Sequence, residues 1–180
     1  ERGIVAAYGP EDKTIIAVPC SINGNATRGS SKIGLRIFDS ETTELLYSMP
    51  GVFSAGSALA MDADRTRVLL QDSEERVRMW SLETRTWIGE ELIPVGPVDH
   101  AVFSPRRDLL ATTTKEGQIE MWWIADGKPS GVKVDHPRTF GAPYCGVYRM
   151  GFQQDGHVLY GGGFNRSNLI SFDVNNGAMM

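Results

Sequence analysis

The sequence is poor in cysteine, has no basic excess and contains no long apolar run. Its two cysteines, Cys20 and Cys145, lie far apart without metal-ligand spacing, which excludes a disulfide scaffold and favours reduced thiols in the cytoplasm. The net charge of −4 argues against a nucleic-acid groove, and no stretch approaches the roughly 18 apolar residues of a membrane helix. Two sequons, at Asn25 and Asn165, point weakly to secretion instead. We therefore expect a cytoplasmic protein that binds neither nucleic acid nor a membrane.

Helical periodicity is nearly absent as well. No window of ten or more residues shows an apolar stripe with the helical period of about 3.6 residues. Short apolar runs alternate with turn residues, as where Ala101–Phe103 is followed by Ser104–Arg107 and then by Leu109–Thr112. Several of these runs are apolar on successive residues, which is typical of strands buried on both faces. The pattern predicts an all-β protein of short strands.

A repeat runs through the chain in two columns. One column consists of aromatic residues spaced 42, 42 and 50 residues apart: Phe38, Trp80, Trp122 and Phe172. A second column lies upstream of the first and consists of Tyr8, Met61, Phe103 and Phe152. Met61, Phe103 and Phe152 precede their aromatic partners by 19, 19 and 20 residues. Tyr8 precedes Phe38 by 30 residues, which indicates an insertion of about 11 in the first unit. The register predicts four units, at approximately residues 1–47, 48–92, 93–134 and 135–180, the last one incomplete.

The units resemble WD repeats. Phe103-Ser104-Pro105 opens the second half of a unit, and Phe38-Asp39 and Trp80-Ser81 stand where that family has its signature dipeptide. The resemblance covers practically the whole chain and implies a β-propeller of about four four-stranded blades, part of a larger ring. WD repeats have a hydrogen-bonded set of His, Ser or Thr, Asp and Trp side chains, here called the polar set, and this chain keeps it poorly. In the third unit Thr112 or Thr114 and Trp122 are present, but Glu116 replaces the aspartate. We therefore expect packing, rather than that network, to hold the blades.

The ring looks incomplete. The sequence begins almost at an inner strand and stops at residues 177–180, where an outermost strand is expected. Four open blades leave two apolar faces in water, so we expect the remaining blades of the ring as one partner and an ill-behaved isolated piece. A closed four-bladed ring is the alternative.

Candidate catalytic groups have simpler explanations. The acidic pair at Glu90 and the acids around Asp62 fit solvated strand and turn charges, because no apolar setting accompanies them. The three histidines share no ligand spacing, and Gly161–Gly163 lacks the context of a phosphate loop. We expect no catalytic constellation, no metal and no cofactor.

Strand topology predicts where a partner binds. The connections between blades and those between second and third strands emerge at one end of the propeller, here called the loop face. Five aromatic and arginine residues on it are the predicted partner-binding set: Phe53, Arg138, Phe140, Tyr144 and Arg166. For Phe53 and Phe140, the alternative is that their side chains fill gaps between blades.

The predicted function is that of a docking scaffold for a protein or peptide. The alternative is a portion of an enzymatic propeller, lactonase- or dehydrogenase-like, whose active site lies mostly in blades outside this sequence. The inner-strand positions carry no ring of acids, which favours the scaffold.

Overall fold

The chain folds into short antiparallel β-strands. The computed structural model describes residues 2–21, 35–49, 58–71, 76–106, 108–114, 118–134, 147–163 and 166–180. Within these ranges there is one short 3-10 turn, Pro10–Asp12, and no α-helix. The chain divides into two compact units, Glu1–Thr86 and Trp87–Met180. The prediction of an all-β fold is confirmed.

The first unit holds sheet 1 and the first three strands of sheet 2. Sheet 1 has the order β1-β2-β3-β4, formed by Arg2–Tyr8, Thr14–Ser21, Arg36–Asp39 and Leu45–Ser48. Sheet 2 has the order β5-β6-β7-β8, formed by Ala58–Met61, Arg67–Gln71, Val77–Ser81 and Thr86–Leu92. The division between the units falls at the first residue of β8.

The second unit holds two three-stranded sheets. Sheet 3 consists of β9, β10 and β11, formed by Val98–Phe103, Leu109–Thr114 and Ile119–Trp123. Sheet 4 consists of β12, β13 and β14, formed by Val147–Phe152, Val158–Gly163 and Arg166–Asp173. Antiparallel bridges join Trp122 to Pro129 and Phe172 to Met179. In both sheets the chain therefore reverses direction after the third strand and begins to pair with it at the equivalent residue.

The hairpin between the first and second strands is the same in all four sheets. The residue after each second-column anchor donates its N–H to the carbonyl five residues on: Gly9 to Thr14, Asp62 to Arg67, Ser104 to Leu109 and Gln153 to Val158, at 2.8–3.1 Å. The first-column anchors Phe38, Trp80, Trp122 and Phe172 all lie in third strands. The four sheets therefore share the same first hairpin and place these anchors at equivalent strand positions.

The turn after the third strand repeats too. Its closing residue has a positive φ in every sheet and lies five residues beyond the aromatic anchor: Thr43 (59°), Arg85 (57°), Gly127 (74°) and Gly177 (74°). Its N–H is donated to the carbonyl four residues back, as from Gly127 to Trp123 at 2.9 Å. Glycine is required at 127 by crowding, because a Cβ there stands 2.7 Å from the carbonyl oxygen of Glu90.

The second strands form the centre of the sheets. All six residues of β10 are buried, as are the three central residues of β6. Trp122 is 1% exposed and donates its Nε1–H to Thr112 Oγ1 at 2.9 Å, one bond of the polar set that the resemblance implies. Trp80 and Phe172 are buried as well, whereas Phe38 is only partly so. The core therefore consists of strand faces pressed together from both sides.

Within each unit the sheets pack face to face. In the second unit, Ala111 and Met121 of sheet 3 lie in one cluster with Leu159 and Phe172 of sheet 4. In the first unit, the ring of Tyr47 on sheet 1 stacks on Trp80 of sheet 2, with centroids 6.5 Å apart. Arg65 forms an ion pair with Asp12 between the first hairpins of the same two sheets.

Adjacent tryptophans on β11 test this core. Trp122→Ala is expected to lower the free energy of unfolding by about 3–5 kcal/mol, because a fully buried indole leaves a cavity. Thr112→Val is expected to cost about 1–3 kcal/mol by leaving the indole N–H without its acceptor. Trp123→Ala is the control: Trp123 is 45% exposed, and roughly 1 kcal/mol is expected. Urea unfolding measures all three, and equal losses at 122 and 123 contradict the burial pattern.

Two equivalent turn positions test the close approach at Gly127. Gly127→Ala is expected to cost at least about 2 kcal/mol, because the new Cβ meets the Glu90 carbonyl and φ is positive. Arg85→Ala occupies the same turn position and already carries a side chain. It is expected to cost at most about 1 kcal/mol, from the loss of the guanidinium lying 5.0 Å from the Tyr47 ring centre. Thermal unfolding of both variants decides, and a mild effect at 127 contradicts the crowding.

Candidate functional site

The predicted partner-binding residues lie almost entirely beyond the described residues. Phe53 falls in 50–57, and Arg138, Phe140 and Tyr144 fall in 135–146. Arg166 is the first residue of β14, where its backbone pairs with Gly163. In the described part of the chain, the loop face is represented by the connection 93–97 and by the strand ends beside it.

A hydrogen bond places that connection beside the start of the third strand. The backbone N–H of Val95 donates to Glu120 Oε2 at 3.1 Å. Val95 precedes β9, and Glu120 is the second residue of β11. In sheet 3, the connection before the first strand and the start of the third strand therefore lie at the same end, as the loop-face prediction requires.

Glu120 is a partly buried carboxylate in this position. Burial raises the pKa of Glu120 above its ordinary value, and the Val95 N–H opposes that shift. The charged form is thus poorly solvated and has one backbone donor. A cation brought to this carboxylate replaces lost hydration, so the position favours a basic group from outside the chain.

Two buried polar atoms lie a short way along the same sheet. His100 on β9 is paired in register with Thr113 on β10. His100 Nδ1 and Thr113 Oγ1 are buried and have no hydrogen-bond partner within the described part of the chain. Buried polar groups are normally satisfied, so such a pair stands out in an otherwise well-bonded sheet.

The electrostatics around His100 favour a neutral imidazole. Burial lowers the pKa of His100, the positive charge of Arg149 lowers it further, and Asp99 opposes both. Arg149 comes from β12, the first strand of the adjacent sheet. Sheets 3 and 4 thus bring charged groups together at their first strands.

Exposed aliphatic side chains complete the site. Ile93 and Val95 are 81% and 65% exposed in the connection whose backbone binds Glu120. Exposed aliphatics beside a poorly hydrated carboxylate form an amphipathic surface that suits binding a chain segment. We name Ile93, Val95 and Glu120 together the sheet-3 site.

The sequence carried a weak signal for this site. The residues two positions before the aromatic anchors are Arg36, Arg78, Glu120 and Ile170, so Glu120 is the single acid in its repeat column. Nothing in the spacing indicates its burial, which depends on the conformation of residues 93–97.

A polar cleft lies at the opposite end of the same unit. It has a volume of about 650 Å³ and is lined by Arg106, Gln153, Gln154 and Asp155, from the first hairpins of sheets 3 and 4. Among the described residues, no group of three or more His, Cys, Asp or Glu side chains is arranged to hold a metal. No helix in these ranges is long and apolar enough to cross a bilayer.

Comparison with known proteins finds the fold without a sequence family. No family model matches the chain, and no curated protein does. Among solved structures, the chain is similar to the crystal structure of the computationally designed Ika8 protein, with a TM-score of 0.69 and 14% identity. The match covers 99% of this chain and 48% of that one, so the chain spans about half the length of the structure it matches. At this identity the likeness concerns the fold alone.

Titration of His100 tests the charged cluster. Its pKa is expected below the ordinary 6.5, to rise in Arg149→Gln and to fall further in Asp99→Asn. Because the folded state disfavours the proton, the free energy of unfolding is expected to fall as the pH drops from 6.5 towards that lower pKa. An NMR titration, with the signal assigned by its loss in His100→Gln, measures the three values. A pKa at or above 6.5, or shifts of the same sign in both variants, contradicts this arrangement.

Proposed function

We propose that the chain is a portion of a WD-type β-propeller that serves as a docking scaffold for a protein or peptide. The observation that carries the proposal is the exposed pair Ile93 and Val95 beside the partly buried carboxylate of Glu120. Four antiparallel sheets with the same two turns, packed face to face within each unit, support reading each sheet as a blade. The match to about half of a longer structure supports a ring with more blades than these four.

The site chemistry favours a basic, apolar segment as the partner. An aliphatic side chain of the segment packs on Ile93 and Val95, while a Lys or Arg approaches Glu120 and stabilises its ionised form. The net charge of −4 adds long-range attraction for such a segment. Binding of this kind requires no catalysis and no cofactor, and the cysteine usage leads us to propose the cytoplasm as its compartment.

The sequence-predicted residues extend this surface. Residues 135–146 connect sheet 3 to sheet 4 in the way that 93–97 connect sheet 2 to sheet 3. We propose that Arg138, Phe140 and Tyr144 therefore emerge at the same end as the sheet-3 site. Phe53, in the connection between sheets 1 and 2, and Arg166, at the start of β14, belong to the same face by strand topology.

A selection from a random peptide library tests the docking face. The folded protein is expected to enrich peptides that combine Lys or Arg with Leu, Ile or aromatic residues. For a selected peptide, Ile93→Ser, Phe140→Ala and Tyr144→Ala are each expected to raise the dissociation constant at least about tenfold, as anchor residues do. Glu120→Gln is expected to weaken it and to reduce its salt dependence. Calorimetric titration provides the constants.

Arg85→Ala is the matched control. Arg85 is exposed in the turn after the third strand, at the opposite end of the sheet from the loop face. It is expected to leave the dissociation constant unchanged. The same affinity for all variants, or a selection without enriched sequences, contradicts docking at this face.

A further inference from the structure

Each sheet has two different faces, and the second unit shows how they pair. The forward face of a sheet is the one that in sheet 3 carries Leu109, Ala111, Ile119 and Met121. The rear face is the one that in sheet 4 carries Leu159 and Phe172, the anchor residue. These two faces form one buried cluster, so a forward face packs on a rear face. The register of the hairpins fixes which residues share a face, since directly paired residues point to the same side.

The forward face of sheet 4 lies open. The repeat equates Ile119 with Leu169, and these two residues are 7% and 70% exposed. Val158, Tyr160 and Ser171, equivalent to three buried residues of sheet 3, are all partly exposed. A Cβ added at Gly162, on the same face, meets nothing within 4 Å. Sheet 4 therefore exposes the same face that sheet 3 buries.

The rear face of sheet 1 lies open in the complementary way. Ile15, Phe38 and Leu45 are paired across three strands and share this face. Leu45 is 49% exposed, and Phe38 and Ile15 are partly exposed. Their equivalents in sheet 4, Phe172 and Leu159, are fully buried. The forward face of sheet 1 is covered in the usual manner, with Ile16 and Ile37 buried.

We propose that a second copy of this chain covers these surfaces, with the forward face of sheet 4 in one copy packing on the rear face of sheet 1 in the other. The occupant follows from the pairing rule, because a forward face accepts a rear face and the second copy offers one with matching apolar residues. The contact is heterologous, and we propose a two-fold arrangement in which it forms twice, once from each copy. Two copies also account for the whole length of the matched structure, of which one copy covers 48%. The inference rests on the sheet faces and not on the docking site proposed above.

Solution mass and surface substitutions test the assembly. Sedimentation equilibrium of the 180-residue chain is expected to give twice its mass of 19.8 kDa. Leu169→Asp and Leu45→Asp are each expected to raise the dissociation constant of the dimer by roughly 100-fold, because each places an unpaired carboxylate in both contacts. Both positions are exposed in the single chain, so both variants should fold, which circular dichroism verifies. Arg106→Asp, in an exposed hairpin turn, is the control that leaves the mass unchanged.

Mixing the two variants identifies the kind of contact. A mixture of Leu169→Asp with Leu45→Asp retains one intact contact and is expected to dimerise more tightly than either variant alone. Loss of the dimer in Leu169→Asp but not in Leu45→Asp indicates a contact of sheet 4 with itself and overturns the proposal. A monomer at about 100 µM overturns it as well, and a mass that grows without limit overturns the closed pair. None of these results depends on peptide binding, so the two proposals fail separately.

Discussion

Sheets 2 and 3 depend on second strands that are buried on both faces. All six residues of β10 are inaccessible, including three threonines. A strand of this kind is stable only when a sheet packs on each side, because apolar surface on either face otherwise stays in water. Face-to-face packing within each unit and the burial of Trp80, Trp122 and Phe172 follow from this requirement.

The two ends of the sheets are under different constraints. At one end, both hairpin types keep their hydrogen bonds and length in all four sheets. At the other end, connections such as 93–97 and 135–146 differ in length and are free to vary without disturbing the strands. Exposed Ile93 and Val95, and the partly buried carboxylate beside them, occur at this variable end. The docking function that we propose therefore uses the end of the sheets opposite to the repeated turns.

A fold that is shared at low sequence identity is understandable on these terms. Packing of apolar faces tolerates many residue choices as long as volume and alternation are kept. Of the polar set that the WD resemblance implies, the bond from Trp122 to Thr112 is present in sheet 3. A structure that depends chiefly on face burial can keep its backbone at 14% identity, which is the level of its match to the designed protein.

Sequence by itself determined the β-class, the repeat register and the place of each aromatic anchor, because these follow from local apolar patterns and turn chemistry. Tertiary structure decided which faces are covered: Phe38 and Trp122 occupy the same repeat column, yet Trp122 is fully buried and Phe38 is partly exposed. It also decided that Glu120 is partly buried and that Arg149 lies near enough to lower the pKa of His100. The docking set of Phe53, Arg138, Phe140, Tyr144 and Arg166 stays a prediction from strand topology. Burial and the distance between charges depend on residues far apart in the chain, which a local pattern does not encode.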